Sequence, residues 1–229
     1  MRRLPVVAVA ATLSVIVLAG CGGSKSNSNG VASKSADNIV ADAKAAADNA
    51  TSVHAYGSGS DNGVPLVIDL HIVAGKGGKG SLSEHGLSFE LVRIGPTAYI
   101  KGSRAFYKRF AGAAAAQLLQ GKWLKASATT GQLASLTPLT DLTKFFDTAL
   151  ANHGKLAKSG TTTVHGVKAV GVKDTTKGGT LYVATTGRPY PVEVTKTGPS
   201  GGTLTFDQWD QAVALSAPPN AVDISKLKG

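Results

Sequence analysis

The chain has 229 residues with a single cysteine, and its 24 Lys and Arg against 14 Asp and Glu give a formal net charge of +10. One cysteine excludes an intramolecular disulfide framework, and a chain of this length can bury a core without one. The cations are spread out, densest at residues 76–79, 101–109 and 155–158, with no run of five like charges and no Arg-rich helix. That pattern argues against nucleic acid and points to anionic headgroups or wall polymers as electrostatic partners.

Met1-Arg2-Arg3 opens the chain with positive charge, and residues 4–18 are apolar or small with no charge. This is the pattern of a signal peptide, and it falls short of the ~20 apolar residues of a spanning helix. The residues expected around a twin-arginine export signal are missing, so general secretion is the expected route.

The stretch closes on Leu18-Ala19-Gly20-Cys21, which matches the bacterial lipobox. The expected modification is a diacylglycerol thioether on Cys21, with a further fatty acyl group such as palmitate on its amine in many bacteria. One acyl chain binds a bilayer marginally and two or three make a stable anchor, so the expected location is the outer face of the cell membrane. The lipid also accounts for an unpaired cysteine in an exported chain. No other cofactor is expected.

Residues 21–34, rich in Gly, Ser, Asn and Lys, have almost no apolar content and are expected to form a flexible tether. Residues 35–229 are expected to form one domain and to be monomeric. Ala36, Ile39, Val40, Ala43, Ala46, Ala47 and Ala50 recur at three- and four-residue steps, so residues 35–49 are predicted as an amphipathic helix with Ser35 as N-cap.

The period then shortens to two. Residues 53–60, 65–74, 80–85, 87–94 and 97–101 are predicted as a strand meander broken by Gly-rich turns. Residues 104–119 and 131–151 carry helical patterns, the second with an apolar stripe of Leu139, Leu142, Phe145, Phe146, Ala149 and Leu150. Strand patterns resume at 162–174, 180–185, 191–197, 203–209 and 211–215. Strands, helices and strands again imply an α+β fold, a mainly antiparallel sheet with helices on one face.

Two glycine motifs lose their chemical meaning in context. Gly198-Pro199-Ser200-Gly201-Gly202 has the spacing of a nucleophile elbow, but strand patterns flank it on both sides where the elbow needs a following helix. Residues 75–80 spell G-x-G-x-x-G without the helix that would receive a pyrophosphate. Both are predicted hairpin turns. His54, His71, His85, His153 and His165 are isolated along the chain, so a zinc site would require a spatial coincidence, and no metal site is expected. No catalytic carboxylate pair is recognisable, and an enzyme is not expected. Trp123 and Trp209 suit core packing, or the wall of a ligand cavity.

The lipobox at Cys21, Gly121-Lys122-Trp123 after a helix, Val164-His165-Gly166-Val167, Gly187-Arg188-Pro189-Tyr190-Pro191, and Phe206-Asp207-Gln208-Trp209 running to Ala217-Pro218-Pro219 occur in an order that resembles the LppX, LprA, LprF and LprG group of actinobacterial lipoproteins. The resemblance covers about residues 35–225. It implies a LolA-like half-barrel, one strongly curved antiparallel sheet whose concave face is covered by helices. It also implies non-catalytic binding or carriage of lipid, lipoglycan or acylated molecules in an apolar cavity of the cell envelope.

On that resemblance the segment 133–150 is the expected cover, with Leu136, Leu142, Phe145 and Phe146 expected to line the cavity. The alternative expectation is an interaction or sensor module on the same fold, with a closed core and an outer surface that meets a protein or wall polymer.

Overall fold

The computed structural model describes residues 27–224 except Asn62, so the expected signal peptide, the expected lipidation site Cys21 and the first part of the expected tether lie outside the described residues. α1 (Ala36–Asp48) comes first, followed by the meander β1 (Ser52–Asp61), β2 (Val64–Val73), β3 (Gly77–Glu84), β4 (Leu87–Ile94) and β5 (Thr97–Gly102). Next come α2 (Arg104–Leu119), β6 (Leu124–Ser127), a 3-10 segment (Gln132–Thr140) and α3 (Leu142–Ala151). A second meander contains β7 (Leu156–Val164), β8 (Val167–Asp174), β9 (Thr180–Ala184), β10 (Pro191–Lys196) and β11 (Gly202–Asp207), before the short β12 (Val222–Asp223).

All twelve strands join one sheet in the order β12-β6-β5-β4-β3-β2-β1-β11-β10-β9-β8-β7. Pairing is antiparallel except between β12 and β6. The sheet does not close on itself, and β1–β11 is the seam between the two meanders. The fold is therefore the expected α+β half-barrel.

Alternation decides the two faces. In β2, Leu70 and Ile72 are buried on the concave face, in register with Ala55 and Val53 of β1, while Asp69 and His71 fall on the convex face opposite Tyr56 and His54. α1 lies over β7 to β10, α3 contacts α1, and the 3-10 segment crosses β2 and β3. Ser35 caps α1 by accepting from the Asn38 amide, and Asp141 caps α3 by accepting from the Lys144 amide. Lys44 ties the two helices together, 2.6 Å from Asp48 and 2.8 Å from Asp147. Its hydrogen bond to Asp147, then that to Asp48, raises its pKa.

α2 covers the β4–β5 end. Phe106 packs on Phe89 of β4, and Gly102 leaves the room for it, since a Cβ there would come within 2.3 Å of the Phe106 ring. Buried Tyr107 fixes the helix: its hydroxyl accepts from the Gly102 amide at 2.9 Å and donates to the Lys122 carbonyl at 3.0 Å.

Several sequence boundaries shift. β3 starts at Gly77 rather than residue 80 because the glycine run belongs to the strand; a Cβ on Gly78 would come within 3.2 Å of the Thr140 side chain lying over it. The predicted strand 162–174 is the β7–β8 hairpin, turned at His165-Gly166 where both φ angles are positive. Residues 211–215 form no strand, because Gln208 and Asp210 take positive φ and Asp210 accepts from the Thr51 amide at 2.7 Å.

The packed domain also begins earlier than residue 35. Ser28 bridges to Thr186, the Asn29 side-chain amide donates to the Ala184 carbonyl, and Val31 is 1% exposed in the core. One valine among polar residues is invisible to composition. A chain cut at Ser33 should therefore be less stable than one beginning at Asn27, by the roughly 1.5–3 kcal/mol that burial of a Val-sized side chain contributes; parallel denaturant titrations would check this.

Candidate functional site

The concave face is covered unevenly. Leu142, Phe145 and Phe146 seat α3 directly on the sheet, where Phe146 is fully buried with its ring centroid 5.1 Å from Phe206 and 5.5 Å from Trp209. Trp209 stacks on Tyr190 at 4.3 Å and donates its Nε1–H to the Pro191 carbonyl. Leu136 is part-buried in a separate cluster with Tyr107 and Leu124. Three of the four sequence-chosen residues thus come together, Leu136 does not join them, and none of the four lines the clefts described next.

Beyond the C-terminal end of α3 the cover stops. A cleft of about 210 Å³ opens there between Val40 of α1, Leu150 of α3, and Leu156, Val172 and Leu181 of the sheet. A second cleft of about 210 Å³ lies over Leu66, Ile68 and Leu204 near the ends of β1, β2 and β11. Val194 and Lys196 line both, so the two adjoin as one apolar trough. Each is below the ~300 Å³ lower end of drug-sized ligand sites, and joined they fall within that range.

The second cleft has a sequence cause. Gly57, Gly59 and Gly202 leave part of its floor without side chains, so the flanking Leu66, Ile68 and Leu204 stay part-exposed. Charge at the rim is positive. Lys196 is exposed and forms no ion pair among the described residues, and Lys177 donates to Asn152.

Asp174 is already engaged. It accepts from the amides of Gly154 at 2.7 Å and of Lys177 and Thr176 at 2.8 Å, bonds that hold its carboxyl below the usual carboxylate range. A depressed folded-state pKa means the stabilisation is complete above the unfolded carboxylate value, near pH ~4, and disappears as pH falls through the lower folded value. The melting-temperature gap between the parent and Asp174→Asn should therefore be constant near neutrality and close in acid; a gap that widened in acid would contradict the assignment.

A second polar constellation occupies the convex face. His54, Asp69, His71 and Asp207 come from three neighbouring strands, with His54 directly opposite His71 on one side and Asp207 on the other. Spacing along the sequence could not show it. Burial, then the proximity of His54, lowers the pKa of His71.

No described helix is long and apolar enough to cross a membrane. α2, which breaks at Gly112 (φ 86°, ψ 168°), nevertheless exposes Phe110 at 64% beside Arg104, Lys108 and Arg109 in its first part, and Leu118 at 69% in its second.

No known family model matches the chain, and no curated protein matches it. Solved structures do. LprF from Mycobacterium bovis aligns over 80% of this chain and 96% of its own, with a TM-score of 0.56 and 16% identity. The Mycobacterium tuberculosis lipoprotein LppX aligns over 79% of this chain and 99% of its own, with a TM-score of 0.50 and 17% identity. At these identities the fold alone is shared, and this chain accordingly has an LprF- and LppX-like, LolA-type half-barrel fold.

Proposed function

We propose that this protein is a lipid-anchored lipoprotein of the cell envelope that holds an acyl chain or similar amphiphile in the trough at Val194, without chemistry of its own. The adjoining apolar clefts beside an unpaired Lys196 carry this reading. Burial of alkyl surface supplies affinity, at about 0.8 kcal/mol per methylene, and the lysine suits an anionic head. Titration of the delipidated protein with a fluorescent fatty acid tests it, with saturable one-to-one binding expected and no saturable binding as the refuting outcome.

The anchor rests on Leu18-Ala19-Gly20-Cys21. Cys21→Ala should release the protein from the membrane or leave an unprocessed precursor, as read by fractionation and intact mass. A mutant processed normally and still membrane-bound would refute the anchor. The basic, apolar surface of α2 supports contact with anionic headgroups or wall polymer once the protein is tethered.

A second reading is an envelope interaction module on the same fold. The side chains that fill the middle of the half-barrel, Phe146 above all, favour it. Under that reading α2, rather than the trough, is the working surface.

A further inference from the structure

We propose that His54, His71 and Asp69 on the convex face form a binding site for one divalent transition-metal ion of the zinc class. One ligand atom from each lies within 4.8 Å of the other two. The sheet register makes the grouping rigid: His54 and His71 are cross-strand partners on β1 and β2, and Asp69 sits two residues before His71 on the same face.

The hydrogen bonds around His54 are hard to satisfy without a cation. Its Nδ1 is 2.7 Å from Asp207 Oδ1 and its Nε2 is 3.2 Å from Asp69 Oδ1. If Nδ1–H donates to Asp207, as a neutral ring would, Nε2 presents a lone pair to a carboxylate oxygen. Two acceptors in contact repel unless a proton or a metal ion lies between them. His71 adds a second deficit, because its buried Nδ1 has no hydrogen-bond partner among the described residues.

A metal ion answers both. Two imidazole nitrogens and a carboxylate are a donor set for zinc, and Asp207 would be the carboxylate that orients a ligating histidine through its other nitrogen. Ligand atoms around a tetrahedral zinc with bonds of ~2.0 Å lie roughly 3.3 Å apart, so the widest pair must draw in by up to about 1.5 Å. The His71 ring, now stacked on His54 at 4.3 Å, supplies this by turning out of the stack. Tyr56 closes the other side of His54, and Lys79, opposite His71 on β3, is the nearby cation that a bound metal would have to tolerate.

The placement has a consequence. His54 is on β1 and both His71 and Asp69 are on β2, so the ion would clamp β1 to β2 beside the seam with β11. It would do so on the face opposite the trough, leaving that site open.

Isothermal titration of the full-length detergent-solubilised protein with Zn²⁺ at pH 7.5, alongside thermal melts, tests this. One equivalent should bind and raise the melting temperature, His54→Ala and His71→Ala should abolish both effects, and Asp207→Asn should weaken affinity about 10–100-fold. His71→Gln, which keeps the shape of the strand, should melt like the metal-free parent and lose zinc binding. Absence of binding by the parent, or binding retained by His54→Ala and His71→Gln through exposed histidines elsewhere, would overturn the proposal.

Discussion

Phe146→Ala is expected to lower the free energy of unfolding by about 3–5 kcal/mol, the usual cost of emptying a fully buried phenylalanine site. The side chain is 0% exposed and meets Phe145, Phe206 and Trp209 at ring-centroid distances of 5.4, 5.1 and 5.5 Å. Those neighbours come from α3, β11 and the turn after it, so collapse around the void would have to move several elements at once. Denaturant titration should show a lower midpoint with an unchanged slope. Phe110→Ala, at a position 64% exposed, should stay within about 0.5 kcal/mol of the parent. A loss under 1 kcal/mol at Phe146 would mean that α3 is not seated on the sheet as described.

Val194→Glu should weaken binding of a fluorescent fatty acid by at least tenfold. Val194 is where the two clefts meet, and a carboxylate there must either be desolvated by a bound chain or ionise into the path of its head. The side chain is only part-buried in the free protein, so stability should fall far less than for Phe146→Ala. Lys196→Glu separates the two contributions, since it should weaken anionic amphiphiles and leave an uncharged alkyl glycoside nearly unaffected. Equal loss for both ligands would remove the lysine's electrostatic role.

The order of helices and strands was legible because β2 alternates strictly and α1 repeats at helical spacing, each signal being local. β6 and β12 were not, since Leu124 is the only buried side chain of β6 and its pairing with β5 is imposed by the rest of the sheet. The same limit applied to function. The stripe on α3 showed that Leu142, Phe145 and Phe146 face inward, but whether an inward face meets a void or a filled core depends on Phe206 and Trp209, some sixty residues away. The trough depends on where α3 ends relative to β10, and the convex-face cluster on a register that places His54 between His71 and Asp207. Neither relation exists within any short stretch of chain.

Native mass spectrometry of the protein extracted from its own membrane in mild detergent addresses amphiphile carriage most directly. Beyond the covalent lipid proposed on Cys21, the parent should retain a noncovalent adduct with the mass of an acylated molecule, and Val194→Glu, folded by its melting curve, should lack it. A parent that carries only the mass of its anchor, together with no fatty-acid binding after delipidation, would contradict carriage and leave the exposed face of α2 as the working surface.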